Sequence, residues 1–326
     1  MGERLKGKVA IVTGSGRGIG RTLALLLSQE GAAVVVNDPG VAVDGSGASS
    51  APASEVAKEI RAAGGMAAAN FDSVAEYESA GRIVQAAVSE FGRLDILCHV
   101  AGILRDRMVF NMSEEEWDSV LRVHLYGAFN MVRNAVPHMM AQRHGRIVLF
   151  SSVSGLGASG QANYASAKEG MVGFMRAASR ELGPYGITVN AVYPGAATRM
   201  TATVPQSTVQ RRVQQEAQNA TGTGGPPASA AAAMLLGMAG VPEMRTPENN
   251  APKVVYLCTD TAKDITGQVV QTSGWDMSYY SPRHLMAAIH KNGRWSLDEL
   301  ERLVPVSLAA GVKNPAPPIP PSPPSV

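Results

Sequence analysis

Aromatic residues are scarce in this chain. They make up 5% of its 326 residues, and charged residues only 17%. A core so poor in rings suits parallel strands tightly covered by helices. The 45% apolar content excludes a disordered chain. Cysteine occurs twice, as Cys98 and Cys258, each inside an apolar run. Such thiols are expected to act as small buried hydrophobes rather than to form a disulfide, which fits a reducing cytoplasm. The formal net charge is only +2 and no basic stripe is present, so nucleic acid is not an expected partner. No apolar run approaches the roughly 20 residues of a membrane helix, so no span is expected. Residues 1–8 are charged and lack an apolar leader core, and the closing Pro-Pro-Ser-Val carries no lipidation or peroxisomal signal. A cytoplasmic protein is the expectation.

What is present is alternation. Apolar runs at Val9–Thr13, Ala33–Asn37, 66–71, 94–100, 146–150, 187–192 and 268–271 read as strands. Helical patterns at 22–30, 54–63, Tyr77–Phe91, 114–138 and Ala162–Leu182 fall between them. Gly31 fits a C-terminal cap, and Ser113 with Glu116 has the capping-box spacing. Strands that read as continuous Val/Ile/Leu runs argue for a parallel sheet covered on both faces. The expected fold is therefore α/β, a doubly wound sheet of about seven strands in a single domain over residues 1–280, with its ligand crevice at the strands' C-terminal ends. Two segments break the pattern. Residues 201–248 are rich in Ala, Gly, Thr and Gln, and a connection this long is expected to be a substrate lid or insertion. Residues 281–313 form a C-terminal extension with a short helix expected at 294–303, and 314–326 are mostly proline, extended or disordered.

Thr13-Gly14-Ser15-Gly16-Arg17-Gly18-Ile19-Gly20 lies between the first strand and the first helix. Glycines there permit a tight turn and close approach of a pyrophosphate, and free N–H groups at the helix start face the anion. An ordinary strand–helix turn also takes glycine, but the place at the very start of a βαβ unit points to dinucleotide binding. Asp38 closes the second strand, 18 residues after Gly20. An acid there can accept hydrogen bonds from both adenosine ribose hydroxyls and repel a 2′-phosphate, which favours NAD over NADP. Asp38 is equally a turn residue before Pro39, and Arg17 is able to attract a 2′-phosphate. Asp72, beside Ser73, can read the adenine edge through its carboxylate or the neighbouring backbone, or cap a helix.

Tyr164 and Lys168 stand four apart in a helical stretch and share one face. A free tyrosine is a poor base near neutrality, and an adjacent ammonium is expected to lower its pKa. The lysine can also bind nicotinamide ribose hydroxyls. Ser152, at the end of the fifth strand, can hydrogen-bond a carbonyl or alcohol oxygen. Such a Tyr-x-x-x-Lys pair alone is a weak motif. After a Ser-rich strand end, with the glycine loop upstream, it becomes strong.

These residues, with Asn190 and Pro194-Gly195, resemble the classical short-chain dehydrogenases/reductases over roughly residues 5–275. The resemblance implies a Rossmann fold, hydride transfer with NAD, and a homodimer or homotetramer built on the long helices at 114–138 and Ala162–Leu182. It also implies cofactor contacts from Ala101, Gly102, Pro194, Gly195 and Thr198. Gly102-Ile-Leu-Arg-Asp-Arg107, Arg122-Val-His-Leu125 and Gly160-Gln-Ala-Asn-Tyr164 resemble, more narrowly, the (3R)-hydroxyacyl-CoA dehydrogenase domain of peroxisomal multifunctional β-oxidation enzymes. In most of the larger family the place of His124 is an asparagine, and histidine is usual in this branch, so His124 joins Ser152, Tyr164 and Lys168 in the catalytic set. It is equally readable as a buried histidine donating to a backbone carbonyl. Two departures stand out. The usual Asn-Asn-Ala-Gly after the fourth strand is His99-Val100-Ala101-Gly102, and the interval from Ser152 to Tyr164 is one residue shorter than usual. Ser151 has the usual spacing, whereas the Ser-Ser pattern favours Ser152. The implied reaction is NAD-dependent oxidation of a secondary alcohol, a fatty or steroid-side-chain 3-hydroxyacyl-CoA. The alternatives are a hydroxysteroid dehydrogenase, a 3-oxoacyl thioester reductase of the same fold, and a non-catalytic nucleotide sensor. No metal is expected.

Overall fold

The computed structural model describes residues 2–197 and 242–312. The strands β1 (Val9–Thr13), β2 (Ala33–Asn37), β3 (Ala67–Asn70), β4 (Ile96–His99), β5 (Gly145–Phe150), β6 (Ile187–Tyr193), β7 (Val269–Gln271) and β8 (Ser278–Tyr279) form one sheet in the order β3-β2-β1-β4-β5-β6-β7-β8. The first seven are mutually parallel. The eighth, which the sequence does not announce, pairs antiparallel with β7 through Val270 and Tyr279. It is two residues long with both side chains exposed, so it carries no apolar pattern to read. The expected doubly wound α/β architecture is present.

The helices are α1 (Gly18–Gln29), α2 (Ala51–Ala62), α3 (Tyr77–Phe91), α4 (Glu114–Leu121), α5 (Gly127–Gln142), α6 (Ala162–Leu182), α7 (Ala251–Leu257) and α8 (Leu297–Leu303). Alternation along β1 sorts them into two layers. Val9 and Ile11 face the core packed by α3, α5 and α6, while Ala10 and Val12 face the core packed by α1, α2 and α7. Both faces are dry, which is why the strands read as unbroken apolar runs. The helix expected over 114–138 begins at the Ser113 capping box but is not uniform. A π-helical turn, Arg122–Tyr126, separates α4 from α5. Helix α5 then runs past Pro137 and ends where Arg143 takes a left-handed φ of 53°. No helix among the described residues is long and apolar enough to cross a membrane.

Opposite the crevice, a charged knot ties the strand beginnings together. Asp95 is fully buried. It accepts from the Val9 amide at 2.9 Å and from Arg93 Nε and Nη2, each at 2.7 Å, and His144 Nδ1 stands 3.4 Å away. These contacts link the starts of β1, β4 and β5. Burial pushes the Asp95 carboxyl up, but the His144 and Arg93 contacts together outweigh it and hold the group at about 2. The folded value lies below the ordinary 3.8, so the knot stabilises the fold above that pH and loses its effect as pH falls towards 2. Asp95→Asn is expected to lower the unfolding free energy by about 2 kcal/mol at neutral pH. The gap from the wild type should close in acid. Urea unfolding across that range checks it, and a gap independent of pH contradicts it.

Candidate active site

A cleft of about 630 Å³ opens at the C-terminal ends of β1, β2 and β4, lined by Gly14, Arg17, Gly18, Ile19 and Gly20 of the glycine loop. The glycines are sterically required. Gly14 has φ +64°, and a Cβ there would lie 2.8 Å from Ala101 Cα. A Cβ on Gly20 would lie 2.2 Å from the Gly14 carbonyl oxygen. Ser15 and Gly16 serve the loop rather than its lumen. The Ser15 hydroxyl donates back to the Val12 carbonyl at 2.7 Å, and the Gly16 amide donates to Asp38 Oδ2 at 2.9 Å. Asp38 Oδ1 accepts from the Gly40 amide at 2.7 Å. Two backbone donors thus fix the Asp38 carboxylate at the cleft wall. Arg17 is exposed at the rim.

Asp72 has its carboxylate held by neighbouring side chains. It lies two residues beyond β3, and its carboxylate is engaged by Arg82 Nε at 2.8 Å, Asn70 Nδ2 at 3.0 Å and the Ser79 hydroxyl at 3.3 Å. It does not cap α3, whose N-cap is Glu76. The neighbouring Ser73, Val74 and Ala75 line the cleft instead. Ala101, Gly102 and Pro194 line it too, and the Gly195 carbonyl accepts from Asn250 Nδ2 at 3.1 Å. Asn190 is structural: it accepts from the Gln268 amide at 3.1 Å and donates to the Ile265 carbonyl at 2.7 Å. Thr198, and most of the expected lid at 201–248, lie outside the described residues, as does the proline tail.

The other end of the cleft brings together Tyr164 and Lys168 from α6 and the residues after β5. The two serines separate cleanly. Ser151 is buried and donates its hydroxyl to the Lys168 carbonyl at 2.7 Å. Ser152 stands beside the Tyr164 side chain, whose pKa it lowers, and accepts from the Ser154 amide at 3.1 Å. The expected lowering of the tyrosine pKa is absent. Burial pushes Tyr164 up to about 12, against the Ser152 contact that pulls it down, with the Asp106 charge pushing it further up. Lys168 Nζ stands 5.4 Å from the Tyr164 ring centroid but donates to the Phe150 carbonyl. Burial also draws Lys168 down to about 7, so near neutrality its charge is weakened.

His124 sits in the π-helical turn, fully buried, edge-on to Tyr164 with centroids 5.1 Å apart. Its Nε2 lies 2.9 Å from the Ile103 carbonyl and 3.1 Å from the Ile103 amide. Burial holds its pKa well below the ordinary histidine value, with the Lys168 charge acting in the same direction. The ring is therefore a neutral wall behind Tyr164. Sequence reasoning missed Asp106 and Gln161. Gln161 is the N-cap of α6, and its Nε2 donates to Asp106 Oδ2 at 2.7 Å. Both lie inside runs quoted above, but a separation of 55 residues gives no hint that they meet.

A glycine-loop cleft that closes on a Ser–Tyr–Lys set defines an NAD(P)-dependent oxidoreductase acting on CH–OH groups. The profile of the short chain dehydrogenases matches residues 8–209. The chain is 44% identical over 258 residues to a Mycobacterium tuberculosis protein named as a short-chain type dehydrogenase/reductase, covering 79% of each. It is 37% identical over 293 residues to the peroxisomal multifunctional enzyme type 2 of Mus musculus, covering 89% of this chain but 35% of that one. A crystal structure of a short chain dehydrogenase from Mycobacterium avium superposes with a TM-score of 0.75 at 37% identity, covering 97% of this chain and 98% of that one. The chain belongs to the short-chain dehydrogenase family.

The different partners of the two serines predict different losses. Ser152→Ala should lower turnover about a hundredfold or more. Ser151→Ala should keep turnover within about threefold while costing about 1 kcal/mol of stability. Steady-state rates and chemical denaturation of both variants check this, and the reverse order of effects would assign the reaction to Ser151.

Proposed function

We propose that the enzyme uses NAD to oxidise the secondary 3-hydroxyl of an acyl-CoA to the ketone. The observation that carries the cofactor preference is the Asp38 carboxylate, pinned by the Gly16 and Gly40 amides where an adenosine ribose would lie. A fixed negative charge there accepts ribose hydroxyls and opposes a 2′-phosphate. The left-handed Gly14 turn, packed on Ala101, sets the start of α1 at the cleft, where free N–H groups suit a pyrophosphate. Gly14, Gly18, Asp38, Ala101 and Pro194 would hold the cofactor, which supplies the hydride acceptor when bound.

The protein supplies the geometry and the proton transfer. Tyr164 Oη takes the hydroxyl proton, and Ser152 orients the substrate oxygen and stabilises charge as it shifts. Lys168, freed from the Phe150 carbonyl, is the group able to stabilise the phenolate and hold ribose hydroxyls. Asp106 and Gln161 brace the N-terminus of α6 so that Tyr164 keeps its aim. The acyl-CoA substrate rests on the quoted motifs and on the likeness to the multifunctional enzyme, of which this chain spans about a third. In this reading residues 1–280 are the catalytic domain, with 201–248 as its lid. Exposed Tyr77 and Phe129, with half-buried Phe174 beside them, have ring centroids 6.5 and 6.3 Å apart across α3, α5 and α6 and support a homo-oligomer through that face. Buried Cys98 and Cys258, free with their Sγ atoms 3.9 Å apart, support a reducing compartment such as the cytoplasm.

Tyr164→Phe should abolish turnover while leaving NAD(H) binding intact by fluorescence titration, and retained turnover would remove Tyr164 from the reaction. Because Tyr164 must lose its proton and sits near 12, the oxidation rate should climb with pH above neutrality. A rate that falls over that range contradicts the assignment. Asp38→Asn should narrow the preference for NAD over NADP by about tenfold or more in kcat/KM. An unchanged preference would place the discrimination elsewhere.

A further inference from the structure

We propose that His99 is a positioning residue. Held by Thr13 as its Nε2–H tautomer, it braces the cofactor side of the cleft against the π-helical turn that carries His124. It stands where the family resemblance expects asparagine. It ends β4 directly beside Thr13, its partner in the β1–β4 register.

The tautomer follows from a count of donors. The Thr13 hydroxyl accepts from the Val100 amide and the Ala101 amide, both at 3.1 Å. A hydroxyl has two acceptor sites and one proton. Both acceptor sites are used, so the proton goes to the third partner, His99 Nδ1 at 3.1 Å. Nδ1 is then an acceptor, and a neutral ring must carry its hydrogen on Nε2. The ring is neutral because it is 1% exposed. Burial draws its pKa down to about 3, with the Lys168 charge assisting.

The Nε2–H points into the π-helical turn. The backbone groups it faces are the carbonyls of His124 and Val123, which pull the His99 pKa back up. No protein atom lies within hydrogen-bond range of Nε2, so the ring meets the turn by packing. The turn's geometry makes room for the ring. The Gly127 amide donates back to the Arg122 carbonyl, five residues earlier, and a Cβ on Gly127 would stand 3.2 Å from His99 Cε1. One imidazole thus touches both walls. Through Nδ1 it fixes Thr13, whose hydroxyl holds the Val100–Ala101 floor against which Gly14 packs. Through its Cε1 edge it packs against Gly127 in the turn from which His124 presses on Tyr164.

Two readouts test this without relying on the identity of the substrate. Nitrogen-detected NMR of the full-length protein should show a His99 resonance, assigned by its loss in His99→Gln, in the Nε2–H form and unchanged from about pH 6 to 9. A titrating ring or an Nδ1–H form overturns the proposal. The second readout is rescue. His99→Leu keeps the bulk but cannot accept from the Thr13 hydroxyl, whereas His99→Gln keeps a side-chain acceptor. The leucine variant should lose about tenfold in turnover of an alcohol the wild type accepts, and the glutamine variant should recover most of it. Equal activity of the two variants would show that only the ring's volume matters and would overturn the proposal. If the leucine variant does not fold, the NMR result on the wild type decides alone.

Discussion

The Thr13 hydroxyl is the contact on which the site depends. In the strand order β3-β2-β1-β4, β1 lies between neighbours whose chains leave in opposite directions. A crevice opens there by topology, and its two lips would drift apart if nothing joined them. Thr13, at the end of β1, accepts from Val100 and Ala101 at the end of β4 and donates to His99. The close approach of Gly14 to Ala101 follows from that join. The same strand ends are tied at the opposite edge of the sheet by Asp95 and its partners, so the sheet is clamped at both ends of β1 and β4.

The chemistry of the cleft is set by burial more than by pairing. Lys168, His99 and His124 are all buried with lowered pKa values, and Tyr164 is raised. A site this dry keeps both histidines neutral and leaves Lys168 as the cation nearest the reacting groups. It also means that Tyr164 is not an active base by default. In the proposed reaction its ionisation would be supported by Ser152 and by Lys168 turning from the Phe150 carbonyl. The tyrosine–lysine spacing therefore describes a capacity of α6 that the surroundings have to release.

Much of this was legible in the sequence, because the informative patterns are local. The β1–glycine–α1 unit, helices α3 and α6, and the Ser113 capping box all follow from neighbouring residues. What the sequence could not show is contact across distance. Asp106 and Gln161 meet through the fold, and Asp72, in the loop before α3, is engaged by Arg82 of that helix. The choice between Ser151 and Ser152 depends on which way each hydroxyl points, and a strand end decides that. The π-helical turn has no composition of its own, and the uniform helix expected there hid the displacement that brings His124 behind Tyr164. Strand β8 is two exposed residues, below what any periodicity can register.

The central claim is that this cleft couples NAD to the oxidation of a 3-hydroxyacyl-CoA. The most direct measurement follows nicotinamide absorbance while the purified protein is offered (3R)- and (3S)-hydroxyacyl-CoA esters, medium-chain and steroid-side-chain, with NAD or NADP. The account predicts turnover of a (3R) ester with NAD, and little with NADP. Silence on every CoA ester while cofactor binding is intact would contradict the substrate class, leaving a dehydrogenase for a different alcohol.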